Sequence, residues 1–121
     1  MMRVDFAETL EERLEAIQEF LLVQDVHSAA DRMEELISEI VRFGDLVALH
    51  PKIGRPAGML ATNTVEGQSR SERVLRLASK ANLPEIREYV IRSYLILYAH
   101  SDTHVLLLSI RHQRELRYMP G

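Results

Sequence analysis

The periodicity of the apolar residues changes from helical to extended after Pro84, and this change constrains the fold more than any other feature of the chain. Between Leu10 and Leu21, apolar residues recur at spacings of three and four, which places them on one face of a helix. After Pro84, the segment 87–100 is rich in β-branched and aromatic residues and has few polar positions, as in a strand that is covered on both faces. Helices followed by a sheet predict the α+β class.

Capping patterns predict where the first two helices start. Thr9 with Glu12, and Ser28 with Asp31, have the spacing at which side chains satisfy the free amides of a first helical turn. Two amphipathic helices joined by a turn of four or five residues are therefore expected to form a hairpin. Pro51 prevents the second helix from continuing far beyond it.

A loop and a third helix are predicted between this hairpin and the sheet. The segment KIGRPAG, 52–58, is a loop by its glycine and proline content. Ser69 with Glu72 starts a short third helix that ends before Pro84. The segment 87–100 is then expected as one long strand, followed by a tight turn at 101–103 and a last strand, with a short first strand at 3–7 pairing back onto this antiparallel sheet.

The composition predicts one domain without metal or cofactor. A chain of 121 residues has room for a single modest core. It contains no cysteine, which excludes disulfides, thiolate metal sites and a cysteine nucleophile. The five histidines show no ligand spacing, so we expect no metal site and no cofactor. No signal-peptide pattern and no membrane-length apolar stretch is present, so we expect a cytoplasmic protein with no membrane partner.

The net charge of −3 conceals an acidic half and a basic half. Residues 1–50 hold four arginines against twelve acidic residues, a balance of −8, and residues 51–121 hold eleven Lys and Arg against six acidic residues, a balance of +5. Two interpretations follow from this asymmetry. The basic half faces phosphate groups of a nucleic acid, or the two halves complement each other inside the fold.

Four motifs in a fixed order carry a family resemblance. They are HPKIGRP at 50–56, IREYVI at 86–91, SYLILYAH at 93–100 and IRHQRELRY at 110–118. In order and spacing they resemble the ParE/RelE superfamily of small bacterial toxins, each encoded beside an antitoxin, and they are more similar to the ParE branch, which is of the plasmid-stabilisation type. The resemblance implies a strand, a helical hairpin and a twisted antiparallel sheet within one domain, 1–121. The segment of about 57–81 is longer than the family's usual link.

Similarity to the ParE branch implies a toxin that inhibits DNA gyrase by binding, without catalytic residues of its own. An antitoxin would neutralise it by laying an amphipathic helix between the hairpin and the sheet, and a heterotetramer with the antitoxin is one assembly that this allows. The residues implied for gyrase contact are Arg111, Arg114, Arg117 and Tyr118. Those implied for the antitoxin groove are Phe20, Leu22, Val23 and Phe43.

Similarity to the RelE branch implies a different function, ribosome-dependent cleavage of mRNA without metal. Arg87 and Arg114 would then hold the phosphate, and His112 or Tyr118 would transfer the proton. The small number of lysines and the acidic overall balance weigh against this alternative. A third interpretation is a degenerate toxin that only binds its antitoxin.

Structural roles compete with each of these functional ones. Gly54, Arg55 and Pro56 form a loop in which Arg55 would pair with Glu88 or Glu115. Arg87 would pair with a neighbouring glutamate, and His112 would hold the end of the last strand. For Arg114 and Arg117 both interpretations stay open.

Overall fold

The computed structural model describes residues 2–57 and 65–112, with the side chains of the third helix described from Glu72 onward. The elements are β1 (Arg3–Phe6), α1 (Glu8–Gln24), α2 (Val26–Leu49), β2 (Arg55–Pro56), α3 (Val65–Lys80), β3 (Glu85–Ile91), β4 (Tyr94–His100) and β5 (His104–His112). A helical hairpin followed by a sheet confirms the predicted α+β class and is consistent with a RelE/ParE-like fold.

The five strands form one sheet in the order β1-β5-β4-β3-β2. The first strand pairs back onto the sheet as predicted, but it runs parallel to β5, with Arg3 opposite His104 and Phe6 opposite Leu107. The other pairs are antiparallel, so the sheet is mixed rather than purely antiparallel.

The prediction of one long strand over 87–100 is wrong. The chain reverses at Arg92 and Ser93, and β3 pairs with β4 from Glu85 opposite His100 to Ile91 opposite Tyr94. Arg92 takes a positive φ of 53°, a conformation that glycine and asparagine adopt more readily. Ser93 is a common turn residue, but arginine is not, and the turn lacks the glycine or asparagine that usually marks a two-residue hairpin.

The predicted capping residues are also wrong. The residue before α1 is Ala7, and the Thr9 hydroxyl instead donates to the carbonyl oxygen of Leu108 on β5. Asp25 caps α2 by accepting a hydrogen bond from the backbone amide of His27 at 3.0 Å. Asp25 is also the only residue between the two helices, so the turn is shorter than predicted.

Two hydrophobic cores lie on opposite faces of the sheet. Along β4, Ile96 and Tyr98 pack with the helical hairpin, and the alternate residues Leu97 and Ala99 pack with α3. The α3 side contributes buried Val74 and Ala78, among others. The long segment between β2 and β3 therefore contributes a helix that covers the second face of the sheet.

Candidate partner-binding site

A buried tyrosine hydroxyl anchors the loop that follows α2. The Tyr98 hydroxyl accepts a hydrogen bond from the Gly54 amide at 2.9 Å and donates one to the Pro51 carbonyl at 2.7 Å. Burial raises the pKa of Tyr98 above its ordinary value of 10, at which the hydroxyl is already protonated at neutral pH. The loop is therefore tied to the centre of the sheet at two backbone positions.

Gly54 is in close contact with this anchor. A Cβ at this position would lie 2.6 Å from the Glu88 carbonyl oxygen and 2.8 Å from the Tyr98 hydroxyl oxygen. Arg55 and Pro56 follow as β2 and pair with Glu88 and Arg87 of β3. The IGRP segment thus becomes the edge strand of the sheet.

Arg55 pairs with Glu88, one of the two carboxylates proposed for it from the sequence. The distance from Arg55 Nε to Glu88 Oε1 is 2.7 Å, and the Glu88 side chain is 6% exposed. Within the described part of the chain, the other carboxylate oxygen of Glu88 is buried without a hydrogen-bond partner. Removing the cation that pairs with a buried carboxylate strongly destabilises a protein. The ion pair therefore stabilises β3, which carries Glu88, as well as β2, which carries Arg55.

Arg87 uses all three guanidinium nitrogens within the protein. They donate to the Gly54 carbonyl at 2.8 Å, to Glu85 Oε2 at 2.9 Å and to His100 Nε2 at 3.0 Å. His100 Nε2 also lies 3.2 Å from Glu85 Oε2, and His100 Nδ1 faces the Ser101 carbonyl oxygen at 3.2 Å. The side chain of Arg87 is 17% exposed, and its donors join the loop, β3 and β4.

The hydrogen bond from Arg87 lowers the pKa of Glu85, with His100, Arg87 and Lys52 adding smaller electrostatic contributions. Desolvation opposes this shift without cancelling it. The carboxylate is therefore held in its charged form beside two groups that donate or carry positive charge.

The structure does not bring Arg87 and His112 together. On β4, Arg87 lies opposite Tyr98 and His112 lies opposite Tyr94, four residues away. Four residues of strand span about 13 Å. These two candidate catalytic residues therefore cannot act on one phosphate in this arrangement.

His112 lies instead in a surface cleft of about 270 Å³ between the end of the helical hairpin and the β3–β4 turn. The edge of its ring contacts Tyr94, with ring centroids 5.1 Å apart. Phe20 lines the same cleft and is 57% exposed. The other lining residues are Leu21, Gln24, Arg32, Ser93 and Tyr94. Phe20 and His112, which were predicted for different functions, thus share one cleft.

Two further candidates for the antitoxin groove, Leu22 and Val23, are exposed on the last turn of α1, at 45% and 87%. Phe43 differs from them. It is 3% exposed and stacks on Tyr89, with ring centroids 5.0 Å apart, because it faces the sheet from the middle of α2. Phe43 thus belongs to the core, and it also lines a surface cleft between α2 and β3 with Leu46 and Tyr89.

Arg111 also lies inside the protein. It is 8% exposed and lies near the end of β5, opposite Leu95 of β4. This burial removes it from the predicted contact surface. The remaining candidates Arg114, Arg117 and Tyr118, and the alternative partner Glu115, lie outside the described residues.

Ion pairs join the acidic and basic halves of the chain. Arg73 of α3 contacts Glu12 at 2.6 Å and Glu8 at 3.3 Å on α1, which raises the pKa of Arg73. Arg92 in the β3–β4 turn contacts Glu35 and Glu39 of α2, each at 3.4 Å. For these arginines the structure favours complementation inside the fold over contact with nucleic acid.

Two further observations concern the described residues alone. They hold no cluster of three or more His, Asp or Glu side chains suited to a metal ion. None of their helices combines the length and the apolar character that crossing a membrane requires.

Comparison with known families assigns the chain. The family model described as "ParE toxin of type II toxin-antitoxin system, parDE" matches residues 4–117. The chain belongs to the ParE toxin family. This protein is therefore a toxin of a type II toxin–antitoxin system, and the family implies an antitoxin partner. A search of curated proteins finds no match.

Two residues of this ParE-family toxin were missed by sequence reasoning. Tyr98 was treated as one apolar strand residue among others, although a tyrosine in a buried strand needs a hydrogen-bond partner for its hydroxyl, and that need was an available signal. Arg32, which lines the cleft with His112, gave no signal, because its neighbours there come from distant parts of the chain.

Proposed function

We propose that this toxin binds and inhibits DNA gyrase in the cytoplasm, and that a cognate antitoxin neutralises it. The observation that carries this proposal is the ParE family match over residues 4–117. The proposal includes a role in plasmid stabilisation and a heterotetramer with the antitoxin, both of which follow from the likeness to the ParE branch.

The cleft beside His112 is the antitoxin site that we propose. Exposed Phe20 and buried Leu21 give it an apolar part, beside the lining residues Gln24, Arg32, Ser93, Tyr94 and His112, and Leu22 and Val23 are exposed on the same helix end. An amphipathic helix binds grooves of this kind through apolar residues spaced three or four apart. Binding there would bury side chains that water otherwise contacts.

The tail that follows β5 is the gyrase contact that we propose. Arg114, Arg117 and Tyr118 come directly after His112, and arginine and tyrosine are frequent among the residues that dominate binding energy at interfaces. Arg111 is buried and Arg73 and Arg92 form ion pairs, so these three arginines of the basic half are not the contact that we propose.

The alternative of RelE-type mRNA cleavage has less support. It requires Arg87 to bind a phosphate near a proton-transfer group, whereas Arg87 binds Gly54, Glu85 and His100. Its distance from His112 also argues against joint action at one phosphate.

Expression of the protein from an inducible promoter tests the proposal, combined with supercoiling assays of purified gyrase. We expect an SOS response, filamentous cells and loss of supercoiling activity. Rapid arrest of translation with cleaved mRNA would contradict gyrase inhibition and favour the RelE alternative. Unimpaired growth together with uninhibited gyrase would indicate a degenerate toxin.

A double variant tests the tail. Arg114→Ala with Arg117→Ala is expected to reduce gyrase inhibition at least about tenfold while the fold is retained, because two side chains suited to the contact are lost. The matched control is Arg76→Ala with Lys80→Ala, which removes the same charge from exposed positions of α3. Equal inhibition by the tail variant and the control would show that the tail is not the contact.

A further inference from the structure

One nitrogen of a buried histidine contacts both a donor and an acceptor at the end of β4. His100 Nε2 lies 3.0 Å from Arg87 Nε and 3.2 Å from Glu85 Oε2, and the His100 side chain is 3% exposed. The arginine nitrogen only donates, whereas an ionised carboxylate only accepts. A single ring nitrogen accepts when it lacks a proton and donates when it carries one. The protonation of Nε2 therefore decides which of these two neighbours His100 binds.

The charged and titratable groups around His100 come from β3, from β4 and from the loop after α2. They are Glu85, Arg87 and Tyr98, with Lys52 acting on Glu85 from the loop. On β5 the residue opposite His100 is the apolar Val105. The hydrogen bond from Arg87 lowers the pKa of Glu85 below its ordinary value of 4.5, so this carboxylate remains an acceptor throughout the range in which histidines titrate.

The other ring nitrogen of His100 faces an oxygen that can only accept. Nδ1 lies 3.2 Å from the Ser101 carbonyl oxygen, and a proton on Nδ1 makes this contact a hydrogen bond. In that tautomer Nε2 has a free lone pair, which suits the contact with Arg87. Nε2 is then the position at which the ring gains its second proton and becomes charged.

Arg87 connects this nitrogen to the edge of the sheet. Its guanidinium also donates to the Gly54 carbonyl oxygen at 2.8 Å and to Glu85 Oε2 at 2.9 Å, the same oxygen that faces His100. Gly54 directly precedes β2, a strand of two residues that pairs with Glu88 and Arg87. Because so short a strand has few backbone hydrogen bonds, it opens easily, and side-chain contacts of this kind govern how often it does.

We propose that His100 is a proton-dependent switch for the edge strand β2 and the loop before it. With Nε2 unprotonated, the ring accepts from Arg87 and holds the guanidinium against the Gly54 carbonyl. With Nε2 protonated, the ring donates to Glu85, competes with Arg87 for that carboxylate oxygen and repels the guanidinium. Arg87 then withdraws from Gly54, and β2 separates from β3 more often. Acid therefore opens this edge of the sheet in the range where histidine changes charge.

Amide hydrogen exchange of the unchanged protein measures the opening. The Ala57 amide donates to the Ile86 carbonyl at 3.1 Å beside β2, and the Ala7 amide donates to the Leu107 carbonyl at 2.9 Å beside β1, at the other edge. From about pH 7.5 to about pH 5.5, the protection factor of Ala57 is expected to fall at least about fivefold, and that of Ala7 to change less than about twofold. Equal changes at the two amides, or no change at Ala57, would overturn the switch.

Nitrogen NMR of the imidazole observes the protonation itself. Nε2 of His100 is expected to lack a proton at about pH 7.5 and to carry one at about pH 5.5, with the same midpoint as the loss of protection at Ala57. An Nε2 that keeps one protonation state across this range would contradict the proposal, and so would two clearly different midpoints.

Two variants separate the switch from a general effect of acid. His100→Gln supplies an amide oxygen that can accept from Arg87 but does not titrate, so the protection of Ala57 should become independent of pH. His104→Gln is the matched control, because His104 Nε2 also contacts a carboxylate of a neighbouring strand, Asp5, at 2.8 Å. The control should keep the pH dependence at Ala57. A dependence that persists in His100→Gln, or that both variants lose, would contradict a switch at His100. If His100→Gln does not fold, the two measurements on the unchanged protein still decide.

Discussion

At Gly54 the IGRP loop has no room for a Cβ. Its backbone lies against the Glu88 carbonyl and the Tyr98 hydroxyl, and its amide and carbonyl bind Tyr98 and Arg87. The sequence suggested a loop here from its glycine and proline content. It did not place Tyr98, the residue that makes glycine necessary, beside Gly54, because the two are 44 residues apart.

Gly54→Ala is expected to lower the free energy of unfolding by about 1–3 kcal/mol, the usual cost of forcing extra atoms into a packed site. The matched control is Gly44→Ala on α2, where a Cβ would lie 3.9 Å from Val4 Cγ1 and has room. Alanine favours helix more than glycine does, so this variant should be neutral or more stable by up to about 1 kcal/mol. Urea unfolding measures the free energy of unfolding of both variants. Equal changes in the two variants would contradict the proposed crowding at Gly54.

Glu85 is expected to make stability depend on pH. Its pKa is lowered in the folded protein, so the stabilisation is present above the ordinary glutamate value of 4.5 and is lost as the pH falls through the lower folded value. Glu85→Gln should therefore destabilise the protein at pH 7 and make progressively less difference in acid. Urea unfolding from neutral pH to about pH 3 measures this difference.

Glu72→Gln is the control for this variant, as an exposed glutamate without an ion pair among the described residues. It should leave the free energy of unfolding within about 0.5 kcal/mol at every pH. A difference between Glu85→Gln and the unchanged protein that stays constant with pH would show that the carboxylate does not titrate with folding.

Among the secondary-structure elements, those with a long apolar periodicity were predicted correctly. Turns and caps whose position depends on a single side chain were not. The hairpin and the sheet follow from many apolar residues acting together, so their existence was predictable. The turn at Arg92 was not predictable. Arg92 has a positive φ, and its side chain contacts Glu35 and Glu39 on α2, which are distant in the sequence. Thr9 likewise bonds to Leu108 on a distant strand rather than to its own helix.

Two kinds of contact attach the third helix to the rest of the protein, apolar packing on the sheet and ion pairs with α1. Val74 and Ala78 are buried against the sheet, whereas the pairs that Arg73 makes with α1 are exposed to water. Exposed ion pairs contribute little to stability, so the apolar contact should hold the helix in place.

Val74→Asp is therefore expected to raise hydrogen exchange across 72–80, because it buries a charge without a partner, while exchange in α2 changes little. Leu75→Asp, at a position that is 43% exposed, is the matched control and should leave exchange in both helices unchanged. Equal exchange in the two variants would contradict attachment through Val74.

For the whole molecule, the net charge of −3 is a poor guide to what the surface does. Arg73 pairs with Glu8 and Glu12, and Arg92 pairs with Glu35 and Glu39, so charges of the basic half lie against charges of the acidic half. The asymmetry along the sequence is therefore used in part between elements of the fold.

The parallel pairing of β1 with β5 has a consequence for biosynthesis. Residues 3–6 find their strand partners at 104–107, so the first strand emerges from the ribosome long before the strand beside which it must lie. Pairing between strands so far apart in sequence is slow, and it cannot finish until β5 has been made. A growing chain of this toxin therefore lacks its complete sheet until residues 104–112 have left the ribosome.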